Sequence, residues 1–205
     1  MSRVYVIAEI GINHNGSMEL AKQLIKQADD SGADAVKFQK RTIDIVYAEA
    51  ELDRFRDSPW GKTNRQQKEG LEFSMEQYKE LEEFTYDLNM DFIVSCWDLN
   101  SVDLVEEHLD IKYHKVASAL TTDRAFLEKL NETGRPVILS TGMCSSEHID
   151  AAISILDNVE VVLACTSTYP TVPEEVNLRH VNTLKDNYPH LKVGFSNHYN
   201  GLDAS

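Results

Sequence analysis

Two hydrophobic periods alternate along this chain, and that alternation restricts the folds open to it. Short apolar or β-branched runs at 4–9, 35–39, 91–96, 113–118, 136–141, 160–166 and 192–196, bounded by turn residues, read as strands. Amphipathic helical patterns lie between them. One starts at Ser17 as N-cap, puts Leu20, Ala21, Leu24, Ile25 and Ala28 on one face, and stops at Gly32. Others cover 75–88 and a stretch from near Ser145 that buries Ile149, Ala152, Ile153 and Leu156. Repeated βα units imply parallel strands joined by right-handed crossovers. The expected fold is a TIM (β/α)8-type barrel truncated after the seventh strand, because a full barrel takes eight strands and about 250 residues. The chain has 205 residues and ends on Gly-Leu-Asp-Ala-Ser, just past the seventh run. A seven-stranded doubly wound sheet is the competing reading; the short, regular spacing of the later βα units favours the barrel. An unpaired strand edge in such a barrel predicts self-association.

Five of the strand segments end in polar groups suited to gripping an anion. They read VIAEIGINHNG (6–16), AVKFQKR (35–41), YHKVASA (113–119), VILSTGM (137–143) and VGFSNHY (193–199). The endings supply Glu9, Lys37 and Gln39, Lys115 and Ser118, Ser140 and Thr141, and Ser196 and His198. Ligands bind at the carboxyl ends of parallel strands in βα folds, so this series describes a cup for a phosphate or carboxylate. Lys37 and Lys115 sit inside apolar strands, where a lysine is otherwise costly. A buried ion pair is the structural alternative for them, and for Glu9 that alternative is a salt bridge to Lys37.

The formal net charge of −14 argues against nucleic acid, whose binders gather positive charge on one face. Cationic groups for a small anion must then be local. The first apolar run is too short for a signal segment or a membrane span. Cys96, Cys144 and Cys165 lack CxxC spacing and cannot all pair, so reduced thiols in a cytoplasmic protein are expected. Cys165 has no evident helper base and reads as packing. One connection breaks the rhythm. Residues 41–73 form a long insertion, in which Asp57-Ser58-Pro59-Trp60-Gly61 predicts an ordered turn, either capping the cup or elaborating the surface.

Taken in order, AEIGINHNGS, VKFQKR, DSPWG, QKEGLEF, KVASA, ILSTGM, CTSTYPT and GFSNH resemble the sialic acid synthase (N-acetylneuraminate synthase) family over nearly the whole chain. The resemblance implies a TIM-barrel transferase of carbohydrate biosynthesis. It would condense phosphoenolpyruvate with an N-acyl amino-sugar aldehyde such as N-acetylmannosamine, giving a nine-carbon 2-keto sugar acid and phosphate. It also implies a divalent metal (Mn²⁺ or Mg²⁺), a homodimer, and a C-terminal domain related to antifreeze proteins, which has no counterpart in this chain.

Carried over residue by residue, Lys37 and Lys115 match the phosphoenolpyruvate-binding lysines, with Ser95, Ser118, Ser140 and Ser196 completing the anion cup. Several donors from different strands suit a phosphate and a carboxylate. Glu9, Gln39, Ser167 and Tyr169 match the amino-sugar side, where Glu9 would hold a hydroxyl or position water; Tyr169 before Pro170 has loop packing as its alternative. His198 matches one of two metal-holding histidines. The other belongs to an eighth strand that this sequence lacks, and one imidazole with waters binds a metal weakly. His14 is either a further cup residue or a turn stabiliser, and Asn13, Asn15 and Asn197 merely flank the motifs. Two other functions fit the residues: another phosphoenolpyruvate-dependent aldolase, and a catalytically incomplete barrel that binds a ligand or partner only.

Overall fold

The computed structural model describes residues 3–201, and the chain divides into two compact units, Met1–Lys112 and Tyr113–Ser205. The last four residues of the Gly-Leu-Asp-Ala-Ser ending lie outside the described residues.

The first unit opens with β1 (Ile7–Gly11), α1 (Met18–Asp30) and β2 (Ala35–Lys40). Strand β1 begins later than the apolar run at 4–9 predicts. Asp34 is the reason: its carboxylate accepts from the Val6 N–H at 2.8 Å, and its own N–H donates to the Val6 carbonyl at 2.8 Å. Val4 and Val6 stay exposed. Ser17 caps α1 as expected, accepting from the Leu20 N–H at 3.2 Å. Residues Ala35–Phe38 are all buried, which is why the strand reads as a continuous apolar run interrupted by Lys37.

After β2 the insertion is built, not loose. It holds α2 (Ile43–Val46), α3 (Glu49–Leu52), the antiparallel hairpin β3 (Phe55–Ser58) with β4 (Gly61–Thr63), and α4 (Asn64–Leu71). The expected turn at 57–61 is the hairpin's tip, tied by the Ser58 hydroxyl donating to the Gly61 carbonyl at 3.0 Å. Arg65 on α4 holds the two short helices by pairing with Asp44 and Glu49. Then come α5 (Met75–Asp87), started by a Ser74/Gln77 capping box, β5 (Asp91–Cys96) and α6 (Leu99–His108). Within this unit β2 pairs in parallel with β1 and with β5, placing Glu9 beside Lys37 and Gln39 beside Ser95. Its core is aromatic: Phe38 stacks on Phe92 with centroids 5.3 Å apart, and Tyr78 meets Phe38 edge-on.

The second unit runs β6 (His114–Val116), α7 (Arg124–Thr133), β7 (Val137–Ser140), α8 (Ser146–Ile155), β8 (Val159–Cys165), α9 (His180–Asn187) and β9 (Lys192–Ser196). Its four strands pair in parallel in that order. Strand β6 is shorter than 113–118 because Ser118–Leu120 turns into a 3₁₀ helix, closed by the Leu120 N–H on the Ala117 carbonyl. Ile149, Val162, Ala164, Leu184 and Tyr188 form one buried cluster here. Ile153 packs against it only half-buried, where full burial is expected from the pattern. Among the described residues no helix is long and apolar enough to cross a membrane.

Candidate functional site

In the first unit the polar strand ends are wired together. Lys37, buried to 7 % exposure, pairs with the Glu9 carboxylate from the neighbouring register position. The Glu9 side chain is half exposed. Gln39 donates from Nε2 to Glu9 Oε1 at 3.1 Å, and its Oε1 accepts from Arg41 Nη2. Gly11 makes room for this: its φ is +56°, and a Cβ there would stand 2.9 Å from Glu9 Oε1 and 3.3 Å from Gln39 Nε2. Arg41 stacks over the Trp97 ring at 4.7 Å and points Nη1 toward Glu72 at 3.8 Å. Glu72 also accepts from Lys40 Nζ at 3.2 Å and from the Arg41 backbone N–H at 3.3 Å. Burial pushes the Glu72 carboxyl above its ordinary range, against the lowering pull of Lys40 and Arg41. Ser95, expected in the anion cup, is buried at 2 % exposure beside Gln39 in register.

His14 resolves toward the turn. It is buried, stacks on Phe73 at 4.1 Å, and accepts at Nδ1 from the Gly16 N–H at 3.1 Å. Burial drives its pKa down to about 4, opposed by its hydrogen bond to the Gly11 backbone. Trp60, at the hairpin tip, lies against Gly70, whose carbonyl crowds Gly16 in the loop after β1. The insertion therefore rests on the loop that carries His14.

In the second unit the groups are hydroxyls around a glycine. Ser118 Oγ accepts from the Gly142 N–H at 3.0 Å. A Cβ on Gly142 would stand 2.5 Å from Ser167 Oγ and 3.1 Å from Ser118 Oγ, so the two hydroxyls converge only because position 142 has no side chain. Ser140, fully buried at the end of β7, has a hydroxyl without a partner. Such a group costs about 1–3 kcal/mol unless something satisfies it. Thr141, in contrast, donates to the Leu163 carbonyl at 2.9 Å and is structural. Lys115 is half-buried in mid-β6, and Ser196 ends β9 opposite Cys165.

His198 places Nδ1 2.6 Å from the Thr166 carbonyl, so Nδ1 carries the proton and Nε2 the lone pair. The hydroxyl of Tyr169 holds that lone pair at 2.6 Å. Tyr169 is 74 % exposed and its ring lies 4.0 Å from the imidazole. Cys165 Sγ is 3.9 Å from His198 Nδ1, so the thiol has an imidazole neighbour that the sequence did not reveal. Among the described residues no group of three His, Cys, Asp or Glu is arranged to hold a metal. His198 supplies one donor, and these residues alone do not fit a divalent ion.

Sequence reading missed Arg41, Glu72, Trp97, Gly11 and Gly142. The signal for the first two was present: Lys40-Arg41 continues the polar ending of β2, and Glu72 stands between the apolar Leu71 and Phe73.

Residues 24–205 match the NeuB family. The chain is 36% identical over 206 residues to an N-acetylneuraminate-9-phosphate synthase from Homo sapiens, covering 98% of this chain and 57% of that protein. It is 36% identical over 216 residues to an N,N'-diacetyllegionaminic acid synthase from Campylobacter jejuni, covering 64% of its length. The chain thus spans little more than half the length of the curated relatives it matches. Among solved structures, an N-acetylneuraminic acid synthetase from Leptospira borgpetersenii, in complex with citrate, superposes with a TM-score of 0.87 at 28% identity, covering 98% of this chain and 67% of that one. Parallel βα order and this likeness assign the fold to the TIM-barrel class, with seven parallel strands among the described residues rather than a doubly wound sheet. By sequence and by fold, the chain belongs to the NeuB family of sialic acid synthases.

Proposed function

We propose that this chain carries the substrate-binding strand ends of a synthase that condenses phosphoenolpyruvate with an N-acyl amino-sugar aldehyde, N-acetylmannosamine or a close analogue. The observation that carries the reading is the identity of 36% across 98% of the chain to an N-acetylneuraminate-9-phosphate synthase. The site chemistry supports it. Lys37 and Lys115 are the cations for the phosphate and carboxylate, with Ser95, Ser118, Ser140 and Ser196 as neutral donors. Ser140 is the clearest of these, since its buried hydroxyl lacks a partner. Glu9, Gln39, Ser167 and Tyr169 serve the sugar, and the exposed face of Glu9 accepts from a hydroxyl.

In the reaction, C3 of phosphoenolpyruvate attacks the aldehyde carbon, and the new alkoxide takes up a proton. Water adds at C2, and the hemiketal phosphate expels inorganic phosphate to leave the 2-keto acid. Lys37 and Lys115 stabilise negative charge from start to finish, and Glu9 orients water or a hydroxyl. Holding two reactants in register supplies much of the acceleration. A divalent ion such as Mn²⁺ or Mg²⁺, if bound, would take His198 Nε2 as one donor in place of the Tyr169 hydroxyl and would supply Lewis acidity, although the described residues alone do not complete its coordination. Homodimerisation and a cytoplasmic setting belong to the same reading.

Saturation-transfer NMR tests it on the chain itself. Transfer to the C3 protons of phosphoenolpyruvate and to the N-acetyl methyl of N-acetylmannosamine is expected. A folded chain that gives neither signal overturns the reading.

A further inference from the structure

The hydrogen bonds around Gln39 carry an inference that rests on the proposed sugar role of that residue and deepens it. A glutamine amide can be turned either way, presenting an acceptor or donors to its ligand. Here both ends are spoken for. Arg41 Nη2 donates to Oε1, and Glu9 Oε1 accepts one Nε2 hydrogen at 3.1 Å. A guanidinium has no acceptor atom, so Arg41 tolerates only the oxygen of the amide on its side. Arg41 is itself fixed on three fronts: the Trp97 ring under its plane at 4.7 Å, Glu72 toward Nη1 at 3.8 Å, and Glu72 on its backbone N–H at 3.3 Å. Gln39 also has its backbone carbonyl held, by the Tyr78 hydroxyl at 2.6 Å. The whole relay lies within the first unit.

We propose that Arg41 is a positioning residue that sets the polarity of Gln39 and thereby selects an N-acylated sugar over the free amino sugar. With Oε1 occupied by Arg41 and one Nε2 hydrogen by Glu9, the remaining Nε2 hydrogen is what Gln39 offers a ligand. That hydrogen requires an acceptor at the sugar nitrogen's substituent, which an acyl carbonyl supplies. An ammonium group offers only donors and meets an N–H instead. Discrimination of this kind comes from leaving a polar group facing the wrong partner, which costs more than a missing contact. Glu72 closes the insertion, so the insertion bears on the sugar position through the Glu72–Arg41 contact.

The test is a side-chain amide spectrum of the whole ¹⁵N-labelled chain, with the Gln39 signal assigned by its loss in Gln39→Asn. The wild-type Gln39 NH₂ pair should be dispersed and slow to exchange. Arg41→Met should move it to the position of an exposed glutamine, and Arg41→Lys, which keeps a donor, should restore part of the dispersion. In titrations with N-acetylmannosamine and with mannosamine, Arg41→Met should lower the preference for the acylated sugar by about tenfold, the equivalent of one hydrogen bond. An unmoved Gln39 amide in a folded Arg41→Met chain overturns the proposal whatever the chain binds. An amide that moves while neither sugar binds the wild type keeps the positioning role, removes the selection, and counts against the synthase reading.

Discussion

The two units solve the same problem with opposite chemistry. In the first, the strand ends arrive already neutralised: Lys37 on Glu9, Glu9 on Gln39, Gln39 on Arg41, Arg41 and Lys40 on Glu72. In the second, the groups are neutral hydroxyls: Ser118 and Ser167 converge beside a glycine that leaves them room, and Ser140 is buried without a partner. A charged network is rigid and self-satisfied, so a ligand must exchange partners with it. A set of hydroxyls and N–H groups is cheaper to leave waiting, and it turns toward whichever acceptor arrives. The first unit thus holds its strand-end charges in pairs, Lys37 among them, while the second leaves hydroxyls open to a ligand, with Lys115 as its proposed cation.

The largest test of this division is Lys115→Ala. It removes charge and no core volume, so the fold should persist while phosphoenolpyruvate affinity falls about a hundredfold or more, in keeping with about 2–5 kcal/mol for removing one partner of a hydrogen-bonded charge pair. Calorimetry of the folded variant checks it, and unchanged affinity would remove Lys115 from the anion site.

Next in size is the pH response of the first unit. His14 is held at about 4 against 6.5 for the free side chain, so the unfolded chain takes up a proton that the folded chain refuses. Stability from this group is complete above pH 6.5 and is lost as pH falls toward 4, to a total of about 3 kcal/mol. Hydrogen exchange at pH 7 and pH 4.5 should show β2 and α5 losing more protection than β8 and β9. A uniform loss across both units would break the contrast.

A smaller effect is expected at Gly142. The Cβ of Gly142→Ala would stand 2.5 Å from Ser167 Oγ and 3.2 Å from the Cys165 carbonyl, and overpacking of that kind costs about 1–3 kcal/mol. Urea unfolding should register it, together with weaker anion binding. The smallest change is Ser140→Ala, which deletes a buried hydroxyl that has no partner. Stability should hold or rise by up to about 1 kcal/mol while phosphoenolpyruvate binding weakens. A clear loss of stability would mean that the hydroxyl is structural.

Much of the fold was legible because the strands read as apolar runs with turn residues at their ends, most clearly β2, β5 and β7, which are buried along nearly their whole length. The insertion was not, since α2, α3 and the hairpin are too short for either period to appear. The strand-end residues were legible as a pattern of polar endings. Their wiring was not: the Arg41–Glu72 contact joins positions 31 apart in sequence, and nothing local announces it. Loop packing stood as the alternative for Tyr169, and Cys165 read as packing, because the imidazole beside both arrives about 30 positions later, from the segment after β9.

The central claim is that these strand ends bind phosphoenolpyruvate, and calorimetric titration of the purified chain, with and without Mn²⁺, tests it most directly. Saturable binding is expected, weakened about a hundredfold or more in Lys115→Ala. A cooperatively folded chain that takes up no phosphoenolpyruvate under either condition would contradict the account.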